Sequence, residues 1–359
     1  MFALTRQRAI SFLAIFTLLV SLFTVFEIDV AQAAPKAPSG TCKPLGTSKI
    51  VSGKKYTCTK VKTKLVWNSG VFVDVFKRAN LIQPISAAQI SSLAISKFNE
   101  YTSVERAPQK VVVEAQPGIS QTWIDWVSKG ATLIANSFDL KKTEGPYVAV
   151  LAKDRQWFVD TYTRLFDSQV AESRARAFDA GSPAFGGKDT GSWNFATIEK
   201  NNLEVNDPTG MRQTPAHEYF HALQETTVGY CGACGVPQWF WEGAAVFVGT
   251  AASAQLGFNT YEQQGRPFAI NRSVNGPTAK LTLSQVTENN ASMDPYGIGS
   301  IATEYLVANV GMTKFLNVYK EVGRGKSFSA AFQAATGIAL TDFYTAFETA
   351  RSTLGVPRS

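Results

Sequence analysis

The stretch TPAHEYFHALQET, residues 214–226, contains the only two histidines of a 359-residue chain, His217 and His221. Thr214 is a favourable N-cap, and a proline at position 215 removes no hydrogen bond from a first turn, so the stretch predicts a helix that begins here. Because about 3.6 residues make one turn, both histidines lie on one face of that helix. Two imidazoles at this spacing can bind one metal ion. The alternative is a helix whose two histidines only cap it or pack against neighbours.

Glu218 stands between the two histidines and supplies the second half of a hydrolytic site. A bound zinc ion lowers the pKa of its water only to about 7, and amide hydrolysis also needs a proton carried to the departing nitrogen. A carboxylate beside the metal can accept the proton from water and then deliver it. The motif therefore predicts Glu218 as a general base and not as a ligand.

A second stretch, PQWFWEGAAVFVG at residues 237–249, offers the remaining ligand. Glu242 follows His221 by 21 positions and begins a helix of small residues, in which Gly243 and Ala244 predict close packing against the first helix. A glutamate from a second helix completes a set of two histidines and one carboxylate, which leaves the fourth zinc position for water. The alternative is that Glu242 is an ordinary solvated side chain after an aromatic run.

The two stretches together resemble the gluzincin metallopeptidases, a superfamily of zinc enzymes. HEYFH matches their zinc motif, and the Trp-x-x-Glu-Gly-x-Ala pattern of their second helix consists here of Trp239, Glu242, Gly243 and Ala245. The resemblance covers residues 191–249 and, more loosely, the helices that follow. It implies an α+β, thermolysin-like metallopeptidase core with a mostly helical C-terminal part, which we assign to residues 71–359.

The resemblance also implies roles for individual residues. In this family two motif histidines and the glutamate of the second helix bind zinc, so one Zn²⁺ ion is expected on His217, His221 and Glu242, with Glu218 as the base. The stretch GSWNFATIEKNN, residues 191–202, would correspond to the edge strand along which such enzymes align the substrate backbone.

Two features depart from the family pattern. The interval between His221 and Glu242 is slightly longer than in the best-known members and contains two cysteines. Val246, four positions after the glutamate, cannot be the carboxylate that orients a zinc histidine in some relatives, so such a partner must come from elsewhere. Glu225 and Glu262 are rival third ligands, although Glu225 is expected to point away along its own helix.

A hydrolytic transition state needs a hydrogen-bond donor for its oxyanion, opposite the base. With both histidines committed, a tyrosine is the candidate, and relatives of the family often place one a few tens of residues downstream. Tyr296, in the stretch MDPYGIGS, is predicted to lie in a loop just before a helix. The alternative is a loop tyrosine without a catalytic role. Tyr305, inside the next helix, is expected to belong to the core.

Residues 1–33 have the layout of a secretory signal peptide. Arginines at positions 6 and 8 precede an uncharged apolar run and a small-residue site, Ala-Gln-Ala, at 31–33. The alternative is an uncleaved membrane anchor, since the run is nearly long enough to span a hydrocarbon core of about 30 Å. Both interpretations predict a protein that is secreted or held at the cell surface.

Residues 34–70 contain eight lysines and no acidic residue, whereas 25 basic and 26 acidic residues follow them. Short β-prone runs alternate here with Gly, Ser and Lys turns, which predicts a small basic β module held by a disulfide between Cys42 and Cys58. Outside the cell, such a charge suits an anionic cell-surface polymer or serves solubility. No nucleic acid is expected, because no known binding motif accompanies the lysines.

Cys231 and Cys234, in GYCGACGVP, complete an even number of cysteines, which favours disulfides in an exported chain. A metal site would need two further donors, and a redox pair usually opens a helix after a strand. We therefore predict a structural disulfide that stiffens the turn before Glu242.

These features predict a secreted zinc peptidase that hydrolyses peptide bonds of a peptide or protein substrate. One alternative is a catalytically inactive, peptidase-like binding protein, and the intact ligands and base argue against it. The other is a zinc amidase that acts on cell-wall material, which the lysine-rich module favours.

Overall fold

The structure is a computed structural model that describes residue 38 and residues 42–51, 54–68, 71–72, 86–106, 108–200, 210–229, 235–258, 260–290 and 292–359. The predicted signal peptide, residues 1–33, and the predicted disulfide of Cys231 with Cys234 lie outside these residues. The chain divides into two compact units, residues 1–73 and residues 74–359.

The first unit contains a small antiparallel sheet. Its strands are β1 (Ser48–Val51), β2 (Lys54–Val61), β3 (Lys64–Trp67) and β4 (Val71–Phe72). β2 pairs with each of the other three. The predicted disulfide between Cys42 and Cys58 is confirmed, and both cysteines are buried together with Tyr56. The disulfide stabilises this unit, which is too short to build a large apolar core.

The second unit is mostly helical and contains one four-stranded sheet, so the predicted mixture of helices with small sheets is confirmed. Its strands are β5 (Val111–Ala115), β6 (Tyr147–Ala152), β7 (Ala184–Gly186) and β8 (Thr190–Asn194). Four helices precede or separate its strands, and a fifth follows β8 directly: α1 (Ala87–Thr102), α2 (Gln121–Ser137), α3 (Arg155–Leu165), α4 (Ser168–Asp179) and α5 (Phe195–Lys200). Those after it are α6 (Gly210–Val228), α7 (Gln238–Gln255), α8 (Arg266–Asn275), α9 (Pro295–Val310), α10 (Met312–Gly323), α11 (Phe328–Thr336) and α12 (Leu340–Ala350).

In the strand order β5-β6-β8-β7, β8 lies between β6 and β7, and β7 is an edge of the described sheet. β5, β6 and β8 run parallel, and β7 is antiparallel to β8. The prediction that GSWNFATIEKNN forms an edge strand is therefore wrong. β8 ends at Asn194, because the Asn194 side chain accepts a hydrogen bond from Thr197 N at 3.1 Å and so begins α5. All five residues of β8 are buried.

α7 is buried on nearly all sides between α6 and α9, and two glycines permit these contacts. A Cβ atom at Gly243 would lie 2.2 Å from the carbonyl carbon of Gly299 in α9. A Cβ atom at Gly249 would lie 2.6 Å from the backbone oxygen of Gln213 in α6. The prediction that Gly243 packs α7 against the first helix is wrong, because Gly249 faces α6 and Gly243 faces α9.

α6 begins at Gly210 and not at Thr214, so Pro215 lies inside the helix. Met211, in the additional turn, is buried in the core. Gly130 of α2 lets that helix approach α6 closely, since a Cβ there would lie 2.9 Å from Pro215 Cβ. Burial of the additional turn offsets the hydrogen bond that Pro215 cannot donate to the carbonyl four residues earlier.

The C-terminal part, from α9 to α12, is helical as predicted. Tyr305 of α9 is buried, and its ring lies 6.2 Å from the Phe343 ring and 6.2 Å from the Phe347 ring, measured between centroids. Its predicted place in the core is confirmed. Among the described helices, none is both long and apolar enough to span a membrane.

Candidate metal centre

Two helices bring the three predicted ligands together. His217 and His221 lie one turn apart on α6, and Glu242 projects from the beginning of α7. His221 Nε2 lies 3.0 Å from His217 Nε2 and 3.1 Å from Glu242 Oε2. His217 Nε2 lies 3.6 Å from the same carboxylate oxygen. The donor atoms all lie within 4.8 Å of one another, so the group could hold a metal ion.

The spacing of these atoms fits a tetrahedral ion. Bonds of about 2.0–2.1 Å at a tetrahedral angle separate two ligand atoms by about 3.3 Å. The three observed separations run from 3.0 to 3.6 Å, so one ion can reach all three atoms with little side-chain movement. Three protein ligands leave a fourth position open, as in catalytic zinc sites. Imidazole and carboxylate donors also bind the neighbouring divalent transition metals.

The protonation states of His221 and Glu242 show that a bound cation would replace a proton. Burial lowers the pKa of the His221 imidazole, but the nearby Glu242 and Glu218 carboxylates outweigh burial and raise the pKa to about 9. Burial raises the pKa of the Glu242 carboxyl, but the two imidazoles outweigh it and hold that pKa well below its usual range. Without a metal ion, His221 and Glu242 therefore form a buried ion pair. A bound metal cation would take the place of the proton on His221.

Glu218 lies on the side of α6 that faces the sheet, and it is 8% exposed. Its carboxylate accepts a hydrogen bond from the Gly186 N–H of β7. β7 comes this close because residue 186 has no side chain, since a Cβ there would lie 2.4 Å from the Glu218 backbone oxygen. Burial raises the pKa of the Glu218 carboxyl, although charge on His217 and His221 acts against this. A raised pKa strengthens a carboxylate as a proton acceptor.

Glu225, a rival third ligand, binds the sheet instead. It lies two turns after Glu218 on α6, and its carboxylate accepts a hydrogen bond from the Lys188 backbone N–H. Both carboxylates thus hold the hairpin that joins β7 to β8, and α6 is attached to the sheet edge at two points. Glu262, the other rival, is exposed in a π-helical turn, Tyr261–Gly265, and is not a member of the triad.

Tyr296 lies beside the triad, in the first turn of α9 and not in the predicted loop. The helix begins earlier than expected because Asp294 caps it, with its carboxylate accepting from Tyr296 N at 3.2 Å. The tyrosine ring is inclined by 20° to the His217 ring, with centroids 6.3 Å apart. The Arg272 guanidinium carbon lies 4.7 Å from the centroid of the same tyrosine ring.

Asn289 links Tyr296 to Glu242 of the triad. Its Nδ2 donates to Tyr296 Oη at 2.8 Å and lies 3.4 Å from Glu242 Oε1. Because the phenol oxygen accepts this bond, the phenol proton is free to reach another acceptor. Burial and the nearby Glu242 carboxylate raise the pKa of Tyr296, so the phenol keeps that proton at neutral pH.

The partner of His221 that replaces the expected carboxylate is Gln224, whose Oε1 lies 2.7 Å from His221 Nδ1. Gln224 was not predicted from the sequence, although a position three residues after His221 on a helix lies on nearly the same face. Gly186 and Asn289 were not predicted either. No local pattern indicates these two, because each comes from a segment distant in the chain.

The arrangement combines a triad that fits a metal ion, a buried carboxylate beside it and a phenol with a free proton. Such groups can activate water and stabilise the oxyanion of a hydrolytic transition state. Comparisons with protein-family models, with curated proteins and with solved structures found no match for this chain.

Proposed function

We propose that the chain is a secreted zinc peptidase of the gluzincin type with a thermolysin-like core. In this proposal His217, His221 and Glu242 hold one Zn²⁺ ion, and Glu218 is the general base. The convergence of three ligand atoms from two helices, directly beside a buried carboxylate, supports it most strongly. The resemblance of HEYFH and WFWEGAA to the family motifs adds to this support.

The bound ion would polarise the carbonyl of the substrate and lower the pKa of water in the open position. Glu218 accepts a proton from the attacking water and delivers it to the departing nitrogen. Tyr296 donates a hydrogen bond to the carbonyl oxygen as negative charge develops there. Asn289 holds the phenol oxygen and so directs the phenol proton away from itself.

β7 offers a place for an extended peptide substrate. Backbone hydrogen bonds to β8 occur at every second residue of the hairpin 183–194. In an antiparallel pair the intervening residues, here Ala184 and Gly186, turn their backbone groups outward. The Gly186 N–H already binds Glu218, so the Ala184 N–H and the two carbonyl groups remain for a substrate strand. A substrate strand that pairs with this edge passes next to Glu218, because Gly186 N–H binds the Glu218 carboxylate.

The test is digestion of an unstructured protein, with the cut sites mapped by mass spectrometry. The protein should cleave peptide bonds, lose the activity with a zinc chelator and regain it with added zinc. Glu218→Gln, prepared in the same way, controls for a contaminating peptidase. Cleavage of amide bonds only in purified cell-wall material would support an amidase instead, and bound zinc without any hydrolysis would support a binding protein.

We also propose that the first unit binds an anionic cell-surface polymer. No acidic residue occurs from position 34 to position 70. Five described lysines of the unit are exposed: Lys43, Lys49, Lys60, Lys62 and Lys64. Binding of the protein to a soluble polyanion should weaken steeply with added salt, because exposed charges are screened. Salt-independent binding would contradict this proposal.

A further inference from the structure

Gln224 holds the side of the His221 imidazole that faces away from the metal site. The His221 ring has two nitrogens: Nε2 belongs to the triad, and Nδ1 lies 2.7 Å from Gln224 Oε1. Gln224 is fully buried. By contrast, His217 Nδ1 is buried without a hydrogen-bond partner in the part of the chain that the structure describes. Of the two imidazoles, only the one on His221 therefore has a hydrogen-bond partner at Nδ1 among the described residues.

The bonds of the Gln224 amide decide its orientation. Gln224 Nε2 donates to the Trp241 backbone oxygen at 2.9 Å and to Tyr319 Oη at 2.9 Å. A carbonyl oxygen only accepts, so the amide nitrogen must face Trp241 and the amide oxygen must face His221. Tyr319 in turn donates its phenol proton to the Phe240 backbone oxygen at 2.7 Å, which leaves its oxygen free to accept from Gln224.

This orientation selects one tautomer of His221. The Gln224 Oε1 atom carries no proton, so the proton of the neutral imidazole must lie on Nδ1. Nε2 then presents its lone pair to the metal position, as a ligand must. The same amide also binds the backbone of α7 at Trp241, the residue directly before Glu242. One buried side chain therefore connects a ligand of α6 with the segment that carries the ligand of α7.

We propose that Gln224 is a positioning residue of the metal site, which fixes the tautomer of His221 and the separation of His221 from Glu242. The proposal rests on the metal site of the proposed function but not on peptidase activity. Mutation of a group that orients a metal-binding histidine in this way typically lowers metal affinity by about 10- to 100-fold.

The experiment measures zinc affinity by competition with a chromophoric chelator and records the visible spectrum of the Co²⁺-substituted protein. Gln224→Leu removes the acceptor for His221 Nδ1, so zinc affinity should fall about 10- to 100-fold and the Co²⁺ spectrum should change. Tyr319→Phe is the matched control. It breaks the same buried network one residue further on and leaves the bond to His221 in place, so its zinc affinity should fall less than about 3-fold. Gln224→Glu keeps an acceptor for Nδ1 and loses only the donor to Trp241 and Tyr319, so its zinc affinity should fall less than that of Gln224→Leu. This variant also tests the role if Gln224→Leu does not fold.

Two results would overturn the proposal. Wild-type zinc affinity and an unchanged Co²⁺ spectrum in Gln224→Leu would show that Gln224 does not position the ligand. Equal losses in Gln224→Leu, Gln224→Glu and Tyr319→Phe would show that affinity follows only helix packing. A wild-type protein that binds zinc but cleaves no peptide would refute the proposed function and leave this role intact, whereas a wild type that binds no zinc would refute both.

Discussion

Two amide side chains border the candidate metal site, one in buried and one in exposed surroundings. Gln224 is fully buried between helices, and its amide oxygen and nitrogen both have protein partners. Asn289 is exposed in the segment before α9, where it binds Tyr296 and approaches Glu242. A buried group that loses its partner stays unpaired, whereas an exposed group exchanges its partner for water. We therefore expect loss of the buried amide to disturb the triad, and loss of the exposed amide to be compensated by water.

Removal of a ligand on the buried side should have the largest effect. Glu242→Ala leaves the ion with two histidines, so we expect zinc affinity to fall by more than about 100-fold, beyond the effect of an orienting group. Equilibrium dialysis with metal analysis measures this. Glu262→Ala is the matched control, because Glu262 is an exposed glutamate outside the triad, and it should bind zinc like the wild type. Equal zinc content in Glu242→Ala and wild type would refute the assignment of this ligand.

Glu218→Gln should separate chemistry from metal binding. The amide keeps the size of the side chain and an oxygen that can accept from Gly186 N–H, but it accepts no proton from water. We expect kcat to fall by roughly 10²- to 10⁴-fold with zinc content unchanged. Peptide hydrolysis and metal analysis on the same sample measure both. Undiminished hydrolysis that a chelator abolishes would contradict the role of base, and loss of zinc would show that the helix is built differently.

Tyr296→Phe tests the exposed side. It removes the proposed oxyanion donor, so kcat should fall by about 10²- to 10³-fold, while KM and zinc content change little. Tyr305→Phe makes the same chemical change in the core, away from the triad, and should leave kcat near the wild-type value. Steady-state kinetics of both variants provide the comparison. Equal kcat in Tyr296→Phe and wild type would remove Tyr296 from the mechanism.

Asn289→Ala should have the smallest effect. Water can replace the amide at this exposed position and donate to the Tyr296 oxygen, so kcat should fall by less than about 10-fold. Zinc affinity should stay at the wild-type value, in contrast to Gln224→Leu on the buried side. If Asn289→Ala lost zinc as readily as Gln224→Leu, the distinction between the two sides would be incorrect.

The metal group is the part of the site that local sequence patterns predicted best. The spacing of His217 and His221 places them one turn apart on any regular helix, and the motif around Glu242 indicated a second helix. The structure brings these three residues to a point that could hold a metal ion, while the identity of zinc stays a proposal. The Cys42–Cys58 disulfide was also predictable, from two cysteines within a short β-rich segment.

The errors concern contacts between segments and the ends of elements. The start of α6 was misplaced because Pro215 was taken to mark the first turn of the helix. Burial of Met211 instead stabilises an additional turn before the proline. β8 was taken for an edge strand because an alternating pattern contains no information about which strands pair with it. Tyr296 was placed in a loop because the cap at Asp294 was not recognised.

The sequence by itself determined which side chains lie on one face of α6, because helical periodicity depends only on positions a few residues apart. It thereby determined that His217 and His221 can share one metal ion, that Glu218 lies beside them and, in hindsight, that Gln224 lies near His221. Tertiary structure decided that β7 is the strand that reaches Glu218, that Gly249 and not Gly243 faces α6, and that Asn289 meets Tyr296. These contacts join segments far apart in the chain, and they form only where close packing of helices and sheet leaves room for a backbone or a hydrogen bond.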